Sequence, residues 1–338
     1  MPLNPAKPFD LEYRVDPTWS DMRLDRFLRV MIPSISRTKL QRYIQENRVE
    51  VNCHPRPANW RVRTGDTVLL KCNIPEDGDD AGKYIRIDTL YEDDDILVVN
   101  KQPGLIVHPV SVHRHNTLLN ALYWKYKDIL PKEQEISLAN RLDQYTSGVI
   151  LVTKHSSAKR IIQEQFEKRS PKKTYLALVD GIIESDSGSI DAPIGSTPVP
   201  NDRCLRGVRY DDEGKPCLSH YSVMERFKPQ DSSALSFTLV QLEPYTGRQH
   251  QLRVHMAHIG HPMVCDYRYG NPSGLSVNGA VITRYALHAE SLSFIHPIRQ
   301  APITVNAPLP DDLNGVLSNL RSGFIGERVN AADIACDD

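Results

Sequence analysis

The chain has 338 residues, 40% hydrophobic and 25% charged, with 41 Lys and Arg against 42 Asp and Glu and a net charge of −1. That length allows two domains and a sizeable core. The balanced charge means that any nucleic-acid contact must be local rather than a property of the whole surface. No apolar run is long enough to span a membrane. Met1 to Asp16 is Pro-rich without an apolar stretch, so no secretory signal is expected. Cys53, Cys72, Cys204, Cys217, Cys265 and Cys336 are scattered and form no C-x-x-C pair, which suggests neither a zinc site nor a disulfide framework. A reduced, cytoplasmic, soluble protein is expected.

Residues 1–21 read as an N-terminal extension. From Met22 the chain turns basic, with Arg23, Arg26, Arg29, Arg37, Lys39, Arg42, Arg48, Arg56, Arg61, Arg63 and Lys71 outnumbering the nearby acids. Leu24, Phe27, Leu28 and Met31 have helical spacing. Ser36 is placed to cap a second helix carrying Leu40, Tyr43 and Ile44. Val49–Asn52 and Thr67–Leu70 read as short strands, with a turn at Gly65-Asp66. Two small helices and a hairpin with basic residues on one side suit a module that contacts phosphates; the plainer alternative is a solvated basic face. Residues 74–83, acidic and rich in Gly and Asp, read as a linker.

A larger domain is expected over 84–310. An acidic turn feeds a strand at Ile96–Asn100, followed by Lys101 and the turn Gln102-Pro-Gly104. A lone Lys after a strand supports neither a Schiff base nor a phosphate site, and Lys101 reads as scaffold at the edge of a groove. Thr117–Tyr126 is helical. Then comes Asn140-Arg-Leu-Asp143-Gln-Tyr-Thr-Ser-Gly148, leading into the β-branched run Val149–Thr153, a buried strand. Asp143 therefore sits on a loop entering the core of a sheet. A carboxylate there is either paired, as in a structural Arg141–Asp143 contact, or reactive, because burying it alone costs too much.

Ser156–Lys168 has helical periodicity, and Lys172–Gly181 alternates as a strand with Tyr175, Ala177 and Val179 on one face. Asp191–Pro216 reads as a long mobile loop carrying Arg203, Arg206 and Arg209. Leu235–Leu242 is a strand. Thr246 and Gln249 then have capping-box spacing ahead of a helix that runs to about Ile259, where Gly260 stops it. His250, His255, His258 and His261 crowd this segment. No nearby Cys or Glu completes a ligand spacing, and the metal reading is rejected. Residues 311–338, polar and acidic at the end, read as a loose C-terminal tail.

Three of these stretches, in this order, resemble the RluA family of pseudouridine synthases: R-L-D-x-x-T-S-G before an apolar strand and Lys, K-x-Y-x-A-x-V at Lys173–Val179, and T-G-R-x-H-Q-L-R-V-H at Thr246–His255. Asn140 stands where most members have His. Residues 22–73 resemble the alpha-L RNA-binding domain. The resemblance implies an α+β fold: a mixed, mostly antiparallel sheet with a central catalytic cleft, behind a small α+β RNA-binding domain. It implies isomerisation of uridine within RNA, with no cofactor, and Asp143 as the catalytic carboxylate kept ionised by an ion pair with Arg253. Leu252 would pack on the base, Tyr175 would stack on it, and Arg141 would fill the place the base vacates. Large-subunit ribosomal RNA is the expected partner, ahead of transfer RNA, and a monomer is expected. A non-catalytic ribosome-assembly factor and a hydrolase with an Asp nucleophile are the other classes. The Asp143, Tyr175 and Arg253 trio argues against the first, and the basic N-terminal module against the second.

Overall fold

The computed structural model describes residues 9–15, 20–31, 37–52, 54–72, 85–108, 117–126, 136–197, 205–231 and 234–330. The expected cap Ser36, the linker at 74–83 and Arg203 lie outside these residues. The chain divides into two compact units, with the main boundary between Lys83 and Tyr84.

In the first unit, helices α1 (Leu24–Met31) and α2 (Arg37–Gln45) accompany a four-stranded antiparallel sheet. Its strands are β1 (Phe9–Arg14), β2 (Val49–Val51), β3 (His54–Pro55) and β4 (Thr67–Cys72), in the order β1-β4-β2-β3. The helical apolar positions Leu24, Phe27, Leu28, Leu40 and Ile44 meet Val49, Val51, Val68 and Leu70 in one core. Strand β1 corrects the reading of residues 1–21 as a mere extension, since Phe9 to Arg14 pairs along the whole of β4. The signal was present: Phe9, Leu11 and Tyr13 alternate with Asp10, Glu12 and Arg14, the period of a strand.

The second unit is built on a ten-stranded sheet. Its continuous path contains β5 (Asp88–Glu92), β6 (Ile96–Lys101), β8 (Ser147–Thr153), β9 (Lys172–Asp180), β10 (Ser187–Asp191), β13 (Leu218–Phe227), β14 (Phe237–Pro244) and β17 (Leu287–Ile295). Their order is β10-β13-β14-β9-β17-β8-β6-β5, and off this path β7 (Ser137–Leu138) pairs with β8 and β18 (Pro302–Asn306) with β17. All pairings in this sheet are antiparallel except β8 with β17. Two small sheets complete the strands: β11 (Ile194–Ser196) with β12 (Arg206–Val208), and β15 (Gly274–Val277) with β16 (Ala280–Ile282) and β19 (Gly326–Val329). The helices are α3 (Leu118–Tyr126), α4 (Ser156–Glu167), α5 (Gln251–His258) and α6 (Asp311–Arg321).

Helix α6 overturns the loose tail expected from Asp311 onward. Leu313, Val316, Leu317 and Leu320 are buried against Leu178, Phe237, Val264 and Leu275. Their spacing is that of one helical face, obscured in the sequence by the polar residues between them.

The parallel β8–β17 pair explains the Thr-Ser-Gly sequence at the head of β8. Ala289 lies opposite Gly148. A Cβ on Gly148 would meet the Ala289 carbonyl oxygen at 2.1 Å, and its φ of +112° is one that residues with a Cβ rarely adopt. Ser147 hydroxyl lies 2.9 Å from His288 Nδ1, whose ring reaches the Ala307 carbonyl through Nε2. The carbonyl only accepts, so Nε2 carries the proton and Ser147 donates to Nδ1.

Candidate active site

Asp143 sits on the loop that leads into β8, at the centre of the large sheet, and its side chain is 30% exposed. The backbone that follows it is held from below. The Gln144 carbonyl accepts from Lys101 Nζ at 2.8 Å and from Gly104 N–H at 3.0 Å. The Tyr145 N–H donates to the Tyr285 hydroxyl at 3.2 Å, and the Tyr145 carbonyl accepts from Arg284 at 2.9 Å. Arg284 is itself fixed by Asp312 of α6 at 2.7 and 2.9 Å. The helix that sequence reading took for tail thus buttresses the loop carrying the carboxylate.

Lys101 is buried beneath this loop rather than at the edge of a groove. Its Nζ donates to the carbonyls of Gln102, Leu105 and Gln144. Burial, and then the nearby Arg284, push its pKa down to about 7, against the opposing pull of Asp143. Asn140 is also structural. Its Oδ1 accepts from Leu151 N–H at 2.8 Å and its Nδ2 donates to the Val149 carbonyl at 3.2 Å, completing backbone pairing along β8.

Two nitrogens face the Asp143 carboxylate without closing on it: Arg253 Nη1 at 3.8 Å and His250 Nε2 at 4.0 Å, the imidazole being kept neutral by burial, which lowers its pKa to about 4. The ion pair expected between Arg253 and Asp143 is therefore the weaker of two. The principal partner of Arg253 is Asp266, with Nε and Nη2 both at 2.7 Å from its oxygens. Asp266 is fully buried and also accepts from the N–H groups of Arg268 and Tyr269. The guanidinium lies 4.0 Å from the Tyr285 ring centre and 4.9 Å from that of Tyr269. Burial alone would weaken its charge. The Asp266 hydrogen bonds and charge, with Tyr285 and Asp143, more than offset that and hold its pKa above the usual value.

Arg253 reaches this position from α5, whose residues Gln251 to Met256 are all buried. The capping box expected at Thr246 and Gln249 does not form. His250 is the N-cap, at φ +57°, with no side-chain cap bond. Thr246 hydroxyl and Arg248 N–H instead converge on Gln251 Oε1, at 2.8 and 3.0 Å, while Gln249 Oε1 accepts from Arg206. Sequence spacing missed this because the turn is closed by a residue inside the helix. Leu252 packs beside Tyr175, Tyr285 and Leu287. Tyr175, on β9 opposite Ala289 and Leu242, bridges the clusters on either side. Burial, and then the charge of Asp143, push its hydroxyl pKa well above the usual range. Arg141, two residues before Asp143, is exposed.

The histidines do not converge. His250 Nδ1 meets the Tyr269 hydroxyl at 2.7 Å, His255 spans Ser219 and the Ala192 carbonyl, and His261 reaches the Asp180 carbonyl. Among the described residues the group able to gather metal ligands is Asp93, Asp95 and His296. There His296 Nδ1 accepts from the N–H groups of Ile298 and Arg299, and Nε2 lies 2.8 Å from Asp93, so both ring nitrogens are engaged within the protein. Sequence reading gave no part to His250, Asp266, Tyr269, Tyr285 or Arg284. A lone acid inside the aromatic stretch Val264-Cys-Asp266-Tyr-Arg-Tyr269 was the one visible sign of a buried counter-charge.

Comparison with known proteins agrees with this arrangement. An uncharacterized RNA pseudouridine synthase of Bacillus subtilis (strain 168) is 36% identical over 301 residues, covering 88% of this chain and 94% of that one. The chain belongs to the RNA pseudouridylate synthase family. The family model, described as RNA pseudouridylate synthase, matches residues 95–258, and the S4 domain model matches residues 22–68. A ribosomal large subunit pseudouridine synthase D of Pseudomonas aeruginosa is 36% identical over 315 residues, covering 90% of this chain and 94% of that one. Among solved structures, human RNA pseudouridylate synthase domain containing 1 superposes with a TM-score of 0.54 at 25% identity, over 74% of this chain and 93% of that one. The fold, the N-terminal RNA-binding module and the enzyme class expected from sequence are those of this family.

Proposed function

We propose that this synthase isomerises uridine to pseudouridine in large-subunit ribosomal RNA, with Asp143 as its catalytic carboxylate. The observation that carries the assignment is the contrast between two acids. Asp266 is buried and saturated by Arg253, whereas Asp143 is part-exposed, facing a cation whose charge is already matched. An acid that faces a cation without being consumed by an ion pair is available for chemistry.

The reaction breaks the bond from ribose to base nitrogen 1, turns the base, forms the bond to carbon 5 and loses the carbon 5 proton. Atoms and electrons balance without a cofactor. Asp143 serves by attacking the ribose, by attacking ring carbon 6, or by removing a ribose proton. The Arg253 guanidinium presents an N–H toward this carboxylate at 3.8 Å, and His250 Nε2 lies 4.0 Å from it. Tyr175 and Leu252 form the apolar wall against which the base rests. With its pKa raised, Tyr175 stays a neutral phenol, so it takes up the carbon 5 proton only as its own proton leaves. The base must leave its stack, at a cost of a few kcal/mol, and exposed Arg141 offers a planar cation to fill the gap.

The ribosomal target is supported by relatives named as large-subunit enzymes and by the S4 match. The test incubates the full chain with unmodified large-subunit ribosomal RNA and, separately, with unmodified transfer RNA, and scores pseudouridine by release of tritium from carbon 5. Conversion in the ribosomal RNA and none in transfer RNA is expected. The reverse pattern would overturn the target, and RNA binding without any conversion would overturn the activity.

A further inference from the structure

Where β9 begins and β14 ends, the surface of the second unit opens into a cavity of about 550 Å³. Arg169, Lys172, Lys173, Tyr245 and Arg248 line it, with Glu243 as the acid among its lining residues. Four cations thus share one carboxylate. Lys172 pairs with Glu243 at 3.2 Å. Among the described residues, Arg169, Lys173 and Arg248 have no carboxylate partner. Lys173 is half-buried, and its pKa is pushed down first by burial and then by Arg169. Packing two cations together without an anion costs free energy that a bound anion would return. Arg169 also follows the C-cap of α4 at φ +56°, a left-handed position that glycine fills at least cost.

The cavity adjoins the active site. Lys173 and Tyr175 are two residues apart on β9, so their side chains leave the same face about 7 Å from one another. Arg248 precedes His250, which faces Asp143, by two residues. Tyr245 is 57% exposed and steadied by an edge-to-face contact with His220 at 5.0 Å. Exposed rings beside a basic groove are where single-stranded bases stack. We propose that this cavity is an RNA subsite that holds a phosphodiester next to the target uridine, with the neighbouring base against Tyr245. The inference rests on the proposed reaction for the identity of its ligand, and on the unpaired cations for its place.

The test uses the full chain and the double variant Arg169→Gln/Lys173→Gln, with Arg160→Gln/Lys228→Gln as a control pair of exposed cations outside the cavity. One arm measures binding of fluorescent decauridylate across a salt series. The cavity holds one phosphodiester, so removing both of its cations should flatten the log–log slope by about 0.7 and leave the slope of the control pair unchanged. Tyr245→Ala should weaken decauridylate binding roughly tenfold. The other arm follows conversion of unmodified large-subunit ribosomal RNA. The double variant should raise KM roughly tenfold and leave kcat within about twofold, because uniform binding is weakened and the reacting groups are untouched. A folded double variant with wild-type slope and KM would overturn the subsite, as would an equal flattening by the control pair. If the wild-type chain converts no uridine, the proposed reaction fails while the binding arm still decides the subsite.

Discussion

Replacing Asp143 by Asn should separate chemistry from stability, and the structure sets the size of both effects. Arg253 Nη1 lies 3.8 Å from Asp143, and unit charges at that distance interact by ~4 kcal/mol at an effective dielectric of about 20. Asp143 is 30% exposed, so water screens much of this, and the pair is worth nearer ~1 kcal/mol. Arg253 also keeps both 2.7 Å bonds to Asp266, and no buried cation is orphaned. The cost of Asp143→Asn to folding should therefore be ~1 kcal/mol or less. Asp266→Asn strips the fully buried guanidinium of its partner and should cost ~3–5 kcal/mol. Denaturant unfolding monitored by circular dichroism measures both. Activity should show the opposite emphasis: folded Asp143→Asn should lose at least roughly 10²–10⁴ in rate, read as tritium release at saturating RNA. A folded Asp143→Asn enzyme with wild-type rate would refute the catalytic assignment. An Asp143→Asn protein as unstable as Asp266→Asn would refute the reading that Asp266 is the structural partner of Arg253.

Three further outcomes are expected. Gly148→Ala should destabilise the second unit by more than ~4 kcal/mol, since its Cβ would sit 2.1 Å from a backbone oxygen, whereas Gly247→Ala, with nothing within 4 Å, should be near neutral in the same unfolding assay. Deleting residues 1–73 should flatten the salt dependence of RNA binding, because the basic S4 module supplies phosphate contacts; an unchanged slope would show that it does not. Asp93 should contribute acid-sensitive stability. Burial would raise its pKa, but hydrogen bonds from the Ile96 and Asp95 N–H groups, Tyr91 and His296 hold it at about 2. A depressed carboxyl pKa gives stability that is full above the unfolded value of about 4 and disappears as pH falls through about 2. Asp93→Asn should remove ~2 kcal/mol of that pH-dependent term, measured as the slope of unfolding free energy across this window.

What could be read from the sequence follows from the range of the interactions involved. The strands at β6, β8 and β9 and helices α1, α2 and α4 carry local periodicity, and Asp143, Tyr175, Leu252 and Arg253 lie in the short motifs by which the sequence resembles the family. The structure brings all four together. The partner of Arg253 was not legible, because Asp266 is 13 residues away and reaches it only after the chain turns back. The support of the Asp143 loop was hidden for the same reason: Arg284, Tyr285 and Asp312 come from more than a hundred residues downstream. Helix α6 and strand β1 did carry periodic signals. They were overridden by polar or Pro-rich composition, an average that conceals which face is apolar. The turn before α5 failed for a different reason, since capping-box spacing is necessary for that motif and not sufficient for it.

The catalytic role of Asp143 on ribosomal RNA is tested most directly by mapping pseudouridine across total RNA from cells of the source organism with and without this gene. Disappearance of specific pseudouridines from large-subunit ribosomal RNA, restored by the wild-type chain and not by Asp143→Asn, is the predicted result. An unchanged pseudouridine map, or restoration by Asp143→Asn, would contradict it.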